Sequence, residues 1–289
     1  MTVGSLVADA VALLAEAGLS EPRREAEELY AALVCGQSSA AWMDRERPAA
    51  AALRERLLGA ARRRAAHWPQ AYATGRANFR GHWLSVDQRV LIPRAETEGL
   101  VDHVIRWAEE WARAGRAAPV VADVGTGSGN IAISLALEAP VAGVIATDIA
   151  ADALSLALEN AMALGVKERI SFRRGDLLAA LLDDRVDAVV SNPPYVASAE
   201  CEVLHPTVRD YEPRVALDGG ADGLGPTRAL AAQAARILPP GGLVAFEVDA
   251  GRAEQSAAAL TEAGFERVEI GEDLFGRQRY VLARQPGVA

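Results

Sequence analysis

The sequence predicts an α/β protein: a parallel sheet covered by helices on both faces, preceded by a small helical region and a hairpin linker. Three observations predict it. From Pro119 onward, short apolar runs alternate with helical stretches, the pattern of a buried parallel sheet. A glycine-rich loop, Gly125 to Gly129, joins the first of those runs to the helix after it. Residues 5–66 carry helical periodicity throughout, and residues 67–98 interrupt it with Gly75, Gly81 and Pro93.

The elements follow in order. Leu6, Val7, Ala10, Val11, Leu13 and Leu14 form one apolar helical stripe, and Ala26, Leu29, Tyr30 and Leu33 form a second. Gly18–Pro22 and Gly36–Ser39 supply the turns between helices. Leu53–Ala66 is a third helix that ends near Arg62, Arg63 and Arg64. These arginines suit either the helix dipole or an acidic partner. Phe79–Leu84 reads as a short hairpin, and Glu96–Ala114 as a helix. Strands are expected at Val120–Val124, Val144–Thr147, Ile170–Phe172, Val186–Val190 and Leu243–Phe246, with helices at Ile131–Leu137 and Asp152–Leu164. The expected division is a helical recognition domain over 1–66, a linker over 67–98 and a catalytic domain over 99–289.

Composition narrows the function. Of the 289 residues, 51% are apolar and 24% charged, which suits a soluble protein with a sizeable core. The net charge of −9 argues against stable binding to a nucleic-acid backbone. Residues 1–80 hold 11 Arg and nine Asp or Glu, so they carry +2 and the remainder −11. No apolar run reaches membrane-spanning length. Met1–Ala10 has no basic segment and contains Asp9, unlike a secretory leader. Cys35 and Cys201 lie far apart and make no metal-ligand spacing. The expected location is the cytoplasm, with no metal.

Four motifs carry chemistry. In Asp123–Val–Gly125–Thr126–Gly127–Ser128–Gly129, glycines let the backbone turn tightly and approach a ligand, and the helix start offers free N–H groups. The third glycine comes one residue earlier than in a dinucleotide fingerprint, and an acid precedes the first. That variant suits a ligand without a pyrophosphate. Asp148, after the next strand, can accept both hydroxyls of a ribose or cap the following helix. Asp176, after the third strand, can accept a bond from an adenine amino group. Ser191–Asn192–Pro193–Pro194–Tyr195 follows the strand Val186–Val190. The prolines stiffen the loop and fix the Pro193 carbonyl, and the Asn192 side chain adds a second acceptor. Two converging acceptors suit a substrate –NH₂, and Tyr195 offers a flat face for a planar amide or base.

These residues resemble those of class I methyltransferases that act on nitrogen. More narrowly, the chain resembles the HemK/PrmC family of protein glutamine-N5 methyltransferases, which act on peptide-chain release factors. Tyr72–Gly75, Val90–Glu98, Val208–Gly223 and Asp273–Arg279 add to the resemblance, which keeps its order along nearly the whole chain. Ala95, Gly225–Thr227 and Val248–Gly251 depart from the usual pattern. The resemblance implies a Rossmann-like, seven-stranded, mostly parallel sheet and S-adenosylmethionine as cofactor, leaving as S-adenosylhomocysteine. It implies cofactor binding by Asp123, Gly125, Thr126, Gly127, Ser128, Gly129, Asp148, Asp176, Leu177 and Asn192. It implies catalysis by Asn192, Pro193 and Tyr195, which with Pro194 hold the acceptor. A release factor is the implied partner, in translation termination. The Asn-Pro-Pro-Tyr element serves adenine as well as an amide, so nucleic-acid adenine and a small-molecule nitrogen are the alternative acceptors. An amide nitrogen is a poor nucleophile, and the reaction depends on alignment. The four histidines, His67, His82, His103 and His205, sit in no catalytic spacing.

Overall fold

The computed structural model describes residues 1–181 and 184–287. Helices α1 (Val3–Glu16), α2 (Pro22–Val34), α3 (Ala40–Met43), α4 (Ala51–Ala65) and α5 (Gln70–Thr74) come first. Strands β1 (Arg76–Phe79) and β2 (His82–Ser85) follow. The next part contains α6 (Glu96–Arg113), β3 (Val120–Val124), α7 (Asn130–Glu138), β4 (Gly143–Asp148), α8 (Ala151–Ala163), β5 (Ile170–Arg174) and β6 (Ala188–Ser191). The last contains α9 (Ser198–Cys201), α10 (Pro206–Arg209), α11 (Gly225–Ile237), β7 (Leu243–Glu247), α12 (Ala253–Glu262), β8 (Glu266–Glu272) and β9 (Gln278–Arg284).

The chain forms two compact units. One holds residues 1–88 together with 205–211, and the other holds 89–204 and 212–289. In the first, a reciprocal cap starts α1. The Thr2 hydroxyl accepts from the Ser5 N–H at 3.2 Å, and the Ser5 hydroxyl accepts from the Thr2 N–H at 3.1 Å, satisfying two N–H groups that the helix leaves open. Leu6, Leu14, Leu29 and Leu57 bury the apolar stripes of α1, α2 and α4 against one another. Two of the three arginines ending α4 are used internally. Arg64 grips Glu25 with two bonds of 2.7 and 2.8 Å, and Arg63 donates to the Ala73 carbonyl at 2.6 and 2.9 Å. Strands β1 and β2 pair antiparallel around Arg80 and Gly81, both with positive φ, as a two-residue hairpin turn requires. Tyr211 packs its ring on Trp68 with centroids 5.4 Å apart, and its hydroxyl donates to the Ala66 carbonyl.

The second unit contains a seven-stranded sheet in the order β5-β4-β3-β6-β7-β9-β8. Strands β3 to β7 pair parallel, whereas β9 runs antiparallel to both neighbours. The apolar runs of β6 and β7 are buried at every position, because helices cover both faces of a parallel sheet. Val124, Leu178, Val189, Phe246, Leu260 and Val281 belong to the core on one side. The strand order reverses at β3, whose neighbours are β4 and β6. Such a switch point opens a crevice at the carboxyl ends of the strands, and the glycine loop, Asp148 and Asn192 all lie at those ends.

Candidate active site

The loop after β3 is built for close approach. Gly125, Gly127 and Gly129 have φ of +72°, +53° and +83°, a region costly for residues with a Cβ. A Cβ at Gly129 would also lie 3.2 Å from the Ala157 Cβ on α8. The N–H groups of Gly125 and Thr126 both donate to the Thr147 carbonyl at 2.9 Å. Asp123 is fully buried. Its Oδ2 accepts from the Thr126 hydroxyl at 2.7 Å and the Ala132 N–H at 3.0 Å, while its Oδ1 has no partner among the described residues. Burial pushes this carboxyl up to about 7. Ser128 is buried, and its carbonyl accepts from the Asn160 side chain at 2.9 Å.

Asp148 ends β4 and fastens two loops. Its Oδ2 accepts from the Gly127 N–H and its Oδ1 from the Ala150 N–H, each at 2.9 Å. Burial raises its carboxyl above the ordinary range, against the pull of those N–H groups. Ala150, rather than Asp148, occupies the cap position of α8. Beyond β5, Leu177 adopts φ of +51°, a conformation that costs a branched side chain roughly 1–3 kcal/mol. It is held there by its neighbours: the Leu178 N–H donates to Gln233 at 2.9 Å, and the Leu177 carbonyl accepts from Thr147.

The loop after β6 is held from three sides. The Ser191 hydroxyl donates to the Val124 carbonyl at 2.7 Å, tying the loop to β3. The Asn192 Nδ2 donates to the Thr97 hydroxyl on α6 at 3.3 Å. That hydroxyl donates to Glu247 Oε2 at 2.6 Å, and the Tyr195 hydroxyl donates to Glu247 Oε1 at 3.3 Å. Val196 then bridges to Asp218, so the stretch Asp218–Gly223 runs beside the loop. A Cβ on Gly219 would lie 2.6 Å from the Pro194 carbonyl oxygen, and one on Gly223 would collide with that of Tyr195. Gly223→Ala also meets φ of +74°. We expect it to lower the melting temperature by several degrees, corresponding to about 1–3 kcal/mol, while Gly220→Ala, which shares the positive φ (+89°) but meets nothing within 4 Å, costs less because it adds no collision. Calorimetric melting of the two variants checks this.

A cavity of ≈ 290 Å³ brings these pieces together. Gly125, Thr126, Gly127, Ser128, Asp148, Asp176, Leu177, Asn192 and Pro194 line it. Asp123, Gly129, Pro193 and Tyr195 stand beside it and are not among its lining residues. Residues 89–94 and Thr97, which sequence reasoning did not single out as site residues, form another wall. That strip is pinned by buried Glu212, which accepts from the Ile92 N–H at 3.1 Å and pairs with Arg94. Glu247 was also missed: in sequence it is a lone acid closing an apolar run. None of the four histidines lines the cavity. Among the described residues, no group of His, Cys, Asp or Glu is placed to hold a metal ion.

A parallel sheet into which the last strand of the sequence inserts antiparallel, a glycine loop at its switch point and an acid at the end of the second parallel strand define a class: this protein is an S-adenosylmethionine-dependent methyltransferase. Residues 112–220 match the Methyltransferase small domain family, and residues 5–75 match the PrmC N-terminal domain family. The chain is 41% identical to the release factor glutamine methyltransferase of Cereibacter sphaeroides over 280 residues, 96% of each chain. It is 41% identical to that of Moorella thermoacetica over 98% of each, and 39% identical to that of Deinococcus radiodurans over 99% of this chain and 100% of the relative. It belongs to the release factor glutamine methyltransferase family. A methyltransferase of Pyrococcus furiosus shares the fold, with a TM-score of 0.51 over 71% of this chain and 89% of that one at 16% identity.

The residues present fit the cofactor. Its ammonium, ribose hydroxyls and adenine amino group are all donors. The site offers matching acceptors in Asp148 and Asp176 on the cavity wall, while Asp123, fully buried behind it, braces the glycine loop. A carboxylate has about four lone-pair sites, so Asp148 keeps capacity after its two backbone bonds.

Proposed function

We propose that this protein methylates the side-chain amide nitrogen of a glutamine in a peptide-chain release factor, acting in translation termination in the cytoplasm. The observation that carries this reading is Asn192 at the wall of the same cavity that the glycine loop, Asp148 and Asp176 line, in a chain whose likeness to the named relatives spans both units. The cofactor would supply an electrophilic methyl group on a sulfonium; the C–S electron pair would stay on sulfur as a neutral thioether, and one amide proton would pass to water. Asp148 would hold the ribose hydroxyls, Asp176 and Leu177 would border the adenine, and Gly125–Ser128 would bring backbone against the remainder. Asn192 Oδ1 and the Pro193 carbonyl accept both N–H bonds of the acceptor amide. That returns electron density to nitrogen and aims its lone pair, an alignment effect of the kind that supplies much of a bimolecular barrier. A small-molecule amine and nucleic-acid adenine are disfavoured by the full-length likeness to protein methyltransferases and, for nucleic acid, by a net charge of −9. No described helix is long and apolar enough to cross a membrane.

The helical unit recognises the protein partner in this reading. Trp42 and Met43 on α3 are 65% and 68% exposed, and exposed aromatic anchors dominate many interfaces. Labelled S-adenosylmethionine with purified release factor should place the label on one glutamine by mass spectrometry. Label on adenine of an added oligonucleotide, or none on glutamine, would overturn the reading. Trp42→Ala should raise the apparent KM for the release factor by about 5- to 30-fold, the equivalent of a 1–2 kcal/mol contact, with cofactor affinity unchanged. An unaltered KM would remove α3 from the recognition surface.

A further inference from the structure

We propose that Thr97 and Glu247 are positioning residues that fix which end of the Asn192 side-chain amide faces the cavity. The inference rests on the reading above, in which the acceptor presents an –NH₂. The two ends of an asparagine amide have nearly the same shape, and only hydrogen bonds decide between them. Here the decision is made two residues away. An ionised Glu247 has no proton to give, so both hydroxyls that reach it must donate: Tyr195 at 3.3 Å to Oε1 and Thr97 at 2.6 Å to Oε2. Thr97 has one hydroxyl proton, and Glu247 takes it. Its oxygen therefore meets Asn192 as an acceptor, and Asn192 answers with its Nδ2 at 3.3 Å. The Oδ1 end is left for the cavity, where an acceptor –NH₂ needs it.

The surroundings of Glu247 support a polarity that depends on its charge. Glu247 is 1% exposed at the end of β7. Thr97 and Glu96 face it from α6, Tyr195 from the loop after β6, and Arg279 and Tyr280 from β9. Burial raises its carboxyl above the ordinary range; Thr97, Arg279 and Tyr195 oppose that, and Glu96 adds to it. A protonated Glu247 can donate to Thr97. The Thr97 proton then turns toward Asn192 and selects the wrong amide end. Transfer should therefore slow as pH falls through the raised Glu247 value.

Single-turnover transfer at saturating cofactor tests this, since saturation removes the effect of Asp123 and Asp148 titrating. Thr97→Val, which keeps shape and loses the hydroxyl, should cut the rate by on the order of 10–100-fold, as loss of a group that orients a binding residue does elsewhere. Thr97→Ser should restore it to within about threefold. Glu247→Gln should slow transfer and abolish the acid limb of the pH profile. A second reading needs no acceptor: with ¹⁵N-asparagine, the Asn192 side-chain protons, assigned by Asn192→Asp, should exchange slowly in the wild type and in Thr97→Ser but rapidly in Thr97→Val. Wild-type protein that labels no release factor would sink the substrate reading and leave this exchange test standing. Thr97→Val at the wild-type rate, Thr97→Ser as slow as Thr97→Val, or unchanged exchange in Thr97→Val would each overturn the positioning role.

Discussion

Asn192→Ala is expected to slow single-turnover methyl transfer by on the order of 10²–10³-fold, the loss seen when one preorganised polar group is removed from a reacting centre. The residue sits where β6 ends and lines the cavity, so its removal takes a polar group from the reacting end and little apolar volume from the core. Melting should change little. The Thr97 hydroxyl loses its donor from Asn192 but keeps its bond to Glu247. Cofactor affinity should fall modestly. The Pro193 carbonyl is untouched, which sets the lower bound on remaining activity. Tyr195→Phe should be mild by comparison, because Glu247 keeps the shorter bond from Thr97. Rapid-quench kinetics with saturating cofactor separate these effects from binding. Transfer at the wild-type rate in Asn192→Ala would reduce the Asn-Pro-Pro-Tyr loop to a structural turn.

The second large effect is expected at Asp148. Asp148→Ala should cost cofactor binding about 1–3 kcal/mol, the range for leaving a buried hydrogen-bonding group unpaired, or roughly 5- to 150-fold in Kd. The geometry adds a second contribution, because the same carboxylate holds the Gly127 and Ala150 N–H groups. Asp148→Asn is instructive for that reason. It must turn an –NH₂ toward one of those two N–H groups, so it should lose nearly as much as alanine despite its shape. Burial raises the Asp148 carboxyl, so affinity should be complete above that raised value and decline as pH falls through it. Isothermal calorimetry across pH measures both effects. Wild-type affinity in both variants would remove Asp148 from the cofactor site.

What was legible in the sequence is what lies close together along the chain. Strands β3, β4, β6 and β7 announce themselves as apolar runs, β5 only by Ile170 and Phe172, and the glycine loop and the Asn-Pro-Pro-Tyr loop are contiguous. Strands β8 and β9 were not read one by one. β8 is an edge strand, half-exposed and broken by two register shifts, so its pattern never becomes a clean alternation. The Asp273–Arg277 motif is the turn that joins it to β9. The short helices α3 and α5 carry four and five residues, too few for a helical period to show. The hydrogen-bonded group at Glu247 was invisible for another reason. Its links to Thr97 and Tyr195 span 150 and 52 residues, and that from Thr97 to Asn192 spans 95, so no local spacing betrays them. Tyr195 was read for its ring, whereas the structure engages its hydroxyl.

The place of β9 between β7 and β8 governs how the protein can be made. The last strand in sequence is an interior strand of the sheet, so the sheet cannot close from its amino-terminal side onward. Until residues 278–284 have left the ribosome, β7, apolar from Leu243 to Phe246, has an open edge, the kind of surface on which nascent chains aggregate. Arg279 and Tyr280 arrive on that same strand and face Glu247 across the finished sheet. Synthesis therefore delivers the second neighbour of β7 and the complete surroundings of Glu247 together. A nonsense codon shortly before residue 278 would not trim the protein. It would leave β7 open-edged, a chain for chaperones and proteases to find.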